Sequence, residues 1–179
     1  VTDEAAVKAA ARQLETELAG DTLAGLVNNA GIANPGPLLH LDIETFRQQM
    51  EVNVTGHLIV TQAFAPLLGA TPGAKAKAPG RICMMSSVGG KVASPFLGPY
   101  SASKFALEGL SESLRRELMI YGVDVIIIAP GAIATPIWDK ADALDVSRYA
   151  NTPYRSSLDM VKTYMVGLGK KGLPPERIG

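Results

Sequence analysis

Three short apolar segments alternate with long helical patterns along this chain, and this order restricts the possible fold more than any other feature. The apolar segments cover residues 23–27, 81–85 and 123–129. The helical patterns begin near Asp3, at Asp42 and near Tyr100, with apolar residues every three or four positions. Strands without polar alternation are typical of parallel sheets. The order therefore predicts an α/β fold in which βαβ units build a parallel sheet.

Composition narrows the class of protein. The chain has 179 residues, which suits one domain (1–179), and its seventeen basic side chains are balanced by seventeen acidic ones. Without a basic excess we expect no nucleic-acid partner. No apolar run approaches the length of a membrane span. A single cysteine, Cys83, cannot form an internal disulfide and favours a reducing, cytoplasmic location.

The second helical pattern covers residues 42–68 and contains one interruption. Its predicted buried stripe is apolar except for Thr61 and consists of Ile43, Phe46, Met50, Val54, Leu58, Thr61, Ala65 and Leu68. Asn53 interrupts an otherwise apolar surface and is followed by Gly56, which indicates a local distortion of the helix. Residues 70–80 contain no large apolar side chain and are predicted to form a flexible surface loop.

Tyr100 and Lys104 are four residues apart at the start of the third helical pattern, so they share one helix face. A nearby ammonium favours the phenolate and lowers the pKa of a tyrosine, which makes the phenol usable as a general acid or base. An exposed tyrosine beside a solvated lysine would show the same spacing. A serine hydroxyl at the end of the preceding strand could bind the same substrate oxygen, and Ser86 and Ser87 both qualify.

Two further strand ends carry small and polar residues. Asn28, Asn29, Ala30 and Gly31 follow the first strand, where a flat ligand could approach the backbone, although an ordinary turn has the same composition. The third strand ends in Pro130 and Gly131, and Thr135 lies shortly beyond. Backbone groups there and the Thr135 hydroxyl could hold an amide.

Taken together, these motifs resemble the classical short-chain dehydrogenase/reductase family from residue 1 to about residue 135. The family motifs NNAG, catalytic Asn, Ser, YxxxK and PGxxxT occur here in order, at Asn28 to Gly31, Asn53, Ser87, Tyr100 with Lys104, and Pro130 to Thr135. Residues 111–118 (SESLRREL) resemble the steroid and retinol branch of the family. The resemblance implies a Rossmann-like, doubly wound sheet in three layers, α/β/α.

The resemblance also implies an NAD- or NADP-dependent oxidoreductase that moves a hydride between nicotinamide and an alcohol or ketone. Tyr100 is then the general acid or base, Ser87 holds the substrate oxygen, and Lys104 binds the nicotinamide ribose. Asn53 holds a water of the proton relay. Further expected cofactor contacts are Asn29, Ala30, Gly31, Tyr100 itself, Pro130, Gly131, Ile133 and Thr135. The expected assembly is a homodimer or homotetramer, formed by the helices over residues 42–68 and 100–121.

The chain departs from the family at both ends. No glycine-rich phosphate loop precedes Asn28, and residues 172–179 stop before the family's last strand. We therefore expect a partial dinucleotide-binding domain without its N-terminal strands and last strand. As a free polypeptide of this length, it is expected to fold poorly or to bind cofactor weakly.

Other residues allow alternatives. His40 and His57 lack partners with metal-ligand spacing, so no metal site is expected. Residues 136–170 correspond to the family's substrate lid, where Trp138 either forms a wall for a hydrophobic substrate or packs as a surface aromatic.

Two other functions of the protein remain as alternatives to the oxidoreductase. One is an epimerase or dehydratase of the extended branch, which the NNAG motif disfavours, and the other is a non-catalytic dinucleotide sensor or scaffold.

Overall fold

A computed structural model describes residues 1–73, 78–143 and 145–177, and its centre is a three-stranded parallel sheet. The strands are β1 (Gly25–Asn28), β2 (Arg81–Met85) and β3 (Asp124–Ile128), in the order β1-β2-β3. Each coincides with a predicted apolar segment to within a few residues. The predicted parallel α/β sheet is thereby confirmed.

Within the described ranges six α-helices accompany the sheet: α1 (Glu4–Leu18), α2 (Ile43–Met50), α3 (Gly56–Phe64), α4 (Gly98–Glu117), α5 (Ile137–Asp142) and α6 (Arg155–Lys170). Local caps explain two of the starts. Asp3 accepts a hydrogen bond from the Ala6 amide at 2.9 Å, and Asp42 accepts one from the Glu44 amide at 3.1 Å. The predicted helix starts at these two aspartates are confirmed.

A single π-helical turn, Glu51–Thr55, joins α2 to α3, and Asn53 lies at its centre. A π-turn is a local insertion in an α-helix and occurs frequently at functional sites. The distortion predicted from Asn53 and Gly56 is therefore present, and it keeps residues 43–64 in one continuous helical segment.

The buried face of that segment differs from the predicted one. Ile43 is 61% exposed, and of the predicted stripe only Thr61 and Leu68 are buried. The residues buried in a row are instead polar, namely Gln49, Asn53, His57 and Thr61. The apolar-stripe prediction is wrong because hydrogen bonds to a neighbouring loop offset the desolvation of these polar side chains.

The main core lies on one face of the sheet, where Ile82, Met84 and Val125 pack with residues of α4 and its neighbours. The other face carries a row of register partners, Val27, Cys83 and Ile126. Val27 is 62% exposed and Ile126 is 41% exposed. The packed face supports α4, and α4 in turn positions the site described below.

The C-terminal part was predicted less well. Beyond Thr135 the sequence pattern weakens and predicts helical fragments over 142–149 and 157–168. In the structure α5 ends at Asp142 and residues 147–149 form a 3₁₀ turn, while residue 144 lies outside the described residues. The prediction over 157–168 matches α6. In the predicted flexible loop, residues 74–77 lie outside the described residues, and 70–73 and 78–80 belong to neither a helix nor a strand. Across the described ranges, the helices are too short or too polar to cross a bilayer.

Candidate active site

The carboxyl ends of the three strands meet at one edge of the sheet. Asn28 is in register with Met84, and Met85 is in register with Ile128. Just beyond the strands, the Val88 amide donates to the Pro130 carbonyl at 3.0 Å, so the second and third strand-end loops are joined. Ligands of open α/β sheets bind at this edge.

Helix α4 brings Tyr100 and Lys104 to this edge. The Lys104 ammonium donates to the Met85 carbonyl, with an Nζ–O distance of 2.6 Å, and lies 5.8 Å from the centroid of the Tyr100 ring. Lys104 is only 4% exposed. Burial penalises the charged form and lowers the pKa of Lys104 to about 8.

The pKa of the Tyr100 hydroxyl is shifted in the opposite direction from the one predicted. Burial raises the pKa of Tyr100 above its usual value of 10.0, and hydrogen bonding with the Ser87 side chain opposes that rise. The sequence pattern predicted a pKa lowered by the lysine ammonium. In this structure desolvation of the phenolate is the larger effect, so the phenol is protonated at neutral pH.

The structure distinguishes the two candidate serines. Ser87 is half-buried, its hydroxyl caps the following turn by accepting from the Gly89 amide at 3.1 Å, and it interacts with Tyr100. Ser86 is 3% exposed, and its hydroxyl has no hydrogen-bond partner among the described residues. Ser87 is therefore the serine placed beside the tyrosine, as the family spacing implied.

Asn53 is fully buried and bridges three segments. Its Oδ1 accepts from the Ile32 amide at 2.9 Å, and its Nδ2 donates to the Ile32 carbonyl and the Ser103 hydroxyl, both at 3.0 Å. Ser103 in turn donates to the Tyr100 carbonyl at 2.7 Å. Asn53 thus links the loop after β1 to the first turn of α4, and both of its amide hydrogens are used by the protein.

The other members of the buried polar row hold the same loop. Along the helix they lie four residues apart, and along the loop their partners lie about two residues apart. Thr61 accepts from the Asn28 side chain at 2.9 Å, and His57 Nε2 contacts the Ala30 carbonyl at 2.7 Å. Gln49 accepts from the Asn34 amide at 2.8 Å and donates to the Ile32 carbonyl.

Gln49, His57 and Thr61 were missed as site residues at the sequence level. Their spacing of four was the available signal, because residues at i and i+4 share a helix face. Burial lowers the pKa of His57, and the Lys104 ammonium acts in the same direction against the hydrogen bond to Ala30. We therefore assign a neutral imidazole that donates from Nε2.

The expected cofactor-binding segments lie on two sides of this centre. Asn29 and Gly31 are exposed, and Ala30 is half-buried. A Cβ at Gly31 would lie 3.5 Å from Asn53 Oδ1 and 3.9 Å from Lys104 Nζ, so the backbone of that loop is close to the lysine. Pro130 and Gly131 follow β3, and the Pro130 carbonyl accepts from the Val88 amide in the turn after Ser87.

Ile133 and Thr135 lie further along the third loop. Ile133 forms a parallel bridge with Leu173, and its carbonyl accepts from the Trp138 indole at 2.6 Å. The Thr135 carbonyl accepts from the Trp138 amide at 3.3 Å. A Cβ at Gly169 would clash with the indole, so Trp138 packs directly on α6 and connects this loop to the C-terminal helix.

Comparison of the sequence with known proteins finds dehydrogenases and reductases. The family model for short chain dehydrogenase matches residues 1–144. An NADPH-dependent 3-dehydrocapnine reductase from Ornithobacterium rhinotracheale is 42% identical over 177 residues, 99% of this chain and 62% of that protein. Mouse (Mus musculus) retinol dehydrogenase 5 is 39% identical over 138 residues, 76% of this chain and 41% of that protein.

A solved structure agrees as well. The crystal structure of a gluconate 5-dehydrogenase from Burkholderia cenocepacia, in complex with NADP and tartrate, superposes with a TM-score of 0.69 at 29% identity. The match covers 82% of this chain and 54% of that one. The chain thus spans about 40 to 60% of the length of these proteins. Its sequence, its parallel sheet and the order of its motifs show that it belongs to the short-chain dehydrogenase family.

Proposed function

We propose that this protein is an NAD- or NADP-dependent oxidoreductase that interconverts an alcohol and a ketone, with Tyr100 as the general acid or base. The observation that carries the proposal is the convergence of Tyr100, Ser87 and Lys104 at the carboxyl end of β2. Family membership and the names of the relatives, which include a reductase and a dehydrogenase, support the reaction class.

The residues at this edge fit a nicotinamide dinucleotide. The exposed backbone at Gly31 lies beside the Lys104 ammonium, which suits ribose hydroxyls that need both donors and acceptors. Asn29 and Ala30 extend the same surface toward the adenosine side. When bound, the nicotinamide supplies or accepts the hydride.

The third strand-end loop would hold the carboxamide of the cofactor. The bridge to Leu173 uses the Ala132 carbonyl and the Ala134 amide rather than the Ile133 amide, and the Ile133 carbonyl already accepts from Trp138. We therefore assign the Ile133 amide and the Thr135 hydroxyl to the carboxamide, with Pro130 and Gly131 bringing the loop beside Ser87.

The raised pKa of Tyr100 suits proton donation. In the reductive direction the protonated phenol gives its proton to the oxygen of the ketone, and the Ser87 hydroxyl orients that oxygen. In the oxidative direction Tyr100 must first be deprotonated, and its phenolate oxygen then takes the proton from the alcohol. Lys104, with a pKa of about 8, is mostly charged at neutral pH and stabilises the phenolate that forms.

Replacing Tyr100 with phenylalanine tests the proposal. Loss of a general acid or base lowers kcat by about 10²- to 10⁴-fold. Cofactor affinity, measured by quenching of protein fluorescence, should stay within about twofold. The matched control is Tyr164→Phe, at a tyrosine of α6 that is 66% exposed, which should leave both values unchanged. Retained turnover in Tyr100→Phe would remove the tyrosine from its role.

A panel of ketones and aldehydes assayed by cofactor oxidation separates the enzyme from the sensor alternative. Turnover of any member that Tyr100→Phe abolishes supports the enzyme. Cofactor binding without turnover across the panel favours the sensor or scaffold. We further propose a cytoplasmic location and a hydrophobic substrate, supported by the lone Cys83 and by the apolar residues of the lid segment.

A homodimer or homotetramer is part of the same proposal. On the two helical segments assigned to the interface, large apolar side chains are exposed: Ile43 is 61% exposed on α2 and Phe105 is 47% exposed on α4. Such side chains on neighbouring helices favour burial against a second copy.

A further inference from the structure

The turn that carries Ser87 packs tightly on the helix that carries Tyr100. Ser87 is followed by a 3₁₀ turn, Val88–Gly90. A Cβ at Gly89 would lie 3.0 Å from the Tyr100 ring, and one at Gly90 would lie 3.0 Å from the Lys104 carbonyl. Glycine at both positions therefore lets the turn contact α4 directly.

The residue after this turn is tied to the same helix. The Lys91 ammonium bonds Glu108 Oε2 at 2.8 Å. Glu108 lies one helical turn after Lys104 and two after Tyr100, so the three side chains occupy one face of α4. The Glu108 residue is only 7% exposed, whereas the Lys91 side chain is 63% exposed.

Glu108 is a buried carboxylate whose strongest described partner is that lysine. Its Oε1 has no hydrogen-bond partner among the residues that the structure describes, and the same is true of the buried Ser86 hydroxyl. A Cβ at Gly90 would lie 2.9 Å from that hydroxyl and 3.1 Å from Glu108 Cγ. An unpaired buried charge is costly, so Glu108 strongly favours keeping Lys91, and with it the turn, in place.

We propose that Lys91 and Glu108 are positioning residues, whose ion pair clamps the 87–91 turn onto α4 and thereby fixes Ser87 beside Tyr100. The inference rests on the function proposed above, because it assigns the pair to the alignment of the general acid. Neither side chain touches the reacting atoms. The pair acts on the site through the turn that carries Ser87, whereas the loop after β1 is held by a separate set of bonds.

The consequence for chemistry follows from the groups around the Tyr100 hydroxyl. Burial raises its pKa, hydrogen bonding with Ser87 lowers it, and the Lys104 ammonium is the nearby charge, with the neutral His57 beyond it. A loosened turn would weaken the Ser87 contact, so the pKa of Tyr100 would rise and the substrate oxygen would be less well oriented.

The test is a double-mutant cycle between Lys91→Met and Ser87→Ala. Lys91→Met alone should lower kcat by about tenfold, the effect of losing roughly one hydrogen bond in the transition state. KM for the cofactor should not change, and the pH limb assigned to Tyr100 should move to higher pH. In the Ser87→Ala background, Lys91→Met should have no further effect. Lys91→Arg should restore most of kcat.

Lys8→Met, which removes an exposed lysine paired with Glu4 on α1, is the control and should match the parent. Equal losses from Lys91→Met with and without Ser87 would overturn the proposal, as would a loss of unfolding free energy with kcat and the pH limb unchanged.

A second readout does not depend on activity. Ultraviolet titration of the phenolate, corrected by subtracting the Tyr100→Phe spectrum, should show a higher pKa for Tyr100 in Lys91→Met than in the parent. An unchanged pKa would overturn the clamp. If the parent protein turns over no substrate, the proposed function fails while this titration still decides whether the ion pair positions Ser87.

Discussion

At the scale of single residues, the site depends on buried polar side chains, and Asn53 uses both its amide hydrogens and its carbonyl oxygen. Asn53 has no exposed surface and makes three hydrogen bonds that join the loop after β1 to α4. A group in this position contributes to stability and to the site together, because each lost bond leaves a backbone or hydroxyl partner unpaired in the interior.

Asn53→Asp should therefore be strongly destabilising. The carboxylate is nearly isosteric, but it cannot donate to the Ile32 carbonyl or to Ser103, and its charge is buried. We expect a loss of about 3–5 kcal/mol of unfolding free energy, measured by urea denaturation at pH 7. Asn29→Asp makes the same chemical change at an exposed position of the same loop and should cost less than about 0.5 kcal/mol. Similar losses in the two variants would contradict the assigned role of Asn53.

Lys104 makes the free energy of unfolding depend on pH, and the lowered pKa of its amine fixes the sign of that dependence. Between pH 8 and 10.5 the unfolded chain holds a proton on this amine that the folded protein has released. Stability from this group must therefore rise with pH across that window, by up to about 3 kcal/mol.

The measurement is the difference in unfolding free energy between the parent and Lys104→Met, followed from pH 7 to 10.5. The parent should gain on the variant as pH rises, whereas Lys8→Met, at an exposed lysine, should show no such trend relative to the parent. A flat difference for Lys104→Met would show that its amine is not desolvated.

At the scale of elements, the helical segment from α2 to α3 is the main support of the site. Its polar row holds the loop from Asn28 to Asn34 in an extended course along the helix. The same loop supplies the exposed backbone at Gly31. Rigid support of a ligand-binding loop by a helix is the arrangement expected where affinity depends on a preformed surface.

Gln49→Leu tests this support. The leucine leaves the Asn34 amide without its partner, so unfolding free energy should fall by roughly 1–3 kcal/mol and cofactor affinity should weaken. Gln48→Leu, at the exposed neighbouring position, is the matched control and should change neither quantity by more than experimental scatter. Urea denaturation and fluorescence titration with the cofactor provide the two measurements.

Much of the element structure could be predicted from local signals. Asp3 and Asp42 are N-cap residues and predict the starts of two helices. The spacing of Tyr100 and Lys104 predicts that they share one face of α4. The buried face of residues 42–68 could not be predicted from periodicity. Gln49 and His57 are buried because loop groups that are distant in sequence satisfy them, and hydropathy contains no information on such partners.

The choice between Ser86 and Ser87 shows the same limit. Both follow β2, and alternation along a strand cannot say which side chain turns toward α4. The turn that follows decides it, because the Ser87 hydroxyl accepts from the Gly89 amide and Gly90 packs over Ser86. The order and spacing of family motifs identified Ser87, while the geometry supplies the physical reason.

At the scale of the whole molecule, the sheet, the strand-end loops and α4 form one framework, and apolar side chains remain exposed on the helical segments away from the core. If these segments pair in an oligomer, Phe105→Glu should reduce the mass measured by light scattering to that of a smaller assembly. Leu39→Glu, at a residue 82% exposed outside α2 to α4, is the control and should leave the mass unchanged. An unaltered mass for Phe105→Glu would place any interface elsewhere.

The π-turn at Glu51–Thr55 restricts the number of residues that the helical segment from α2 to α3 can contain. In an ideal α-helix each step of four residues overshoots a full turn by about 40°, so a row of four residues would wind roughly 120° around the helix. The wider turn around Asn53 reverses part of this drift, which keeps Gln49 and Thr61 facing the same loop while Leu68 still reaches the core. Homologues should therefore accept substitutions in this segment far more readily than the deletion or insertion of one residue.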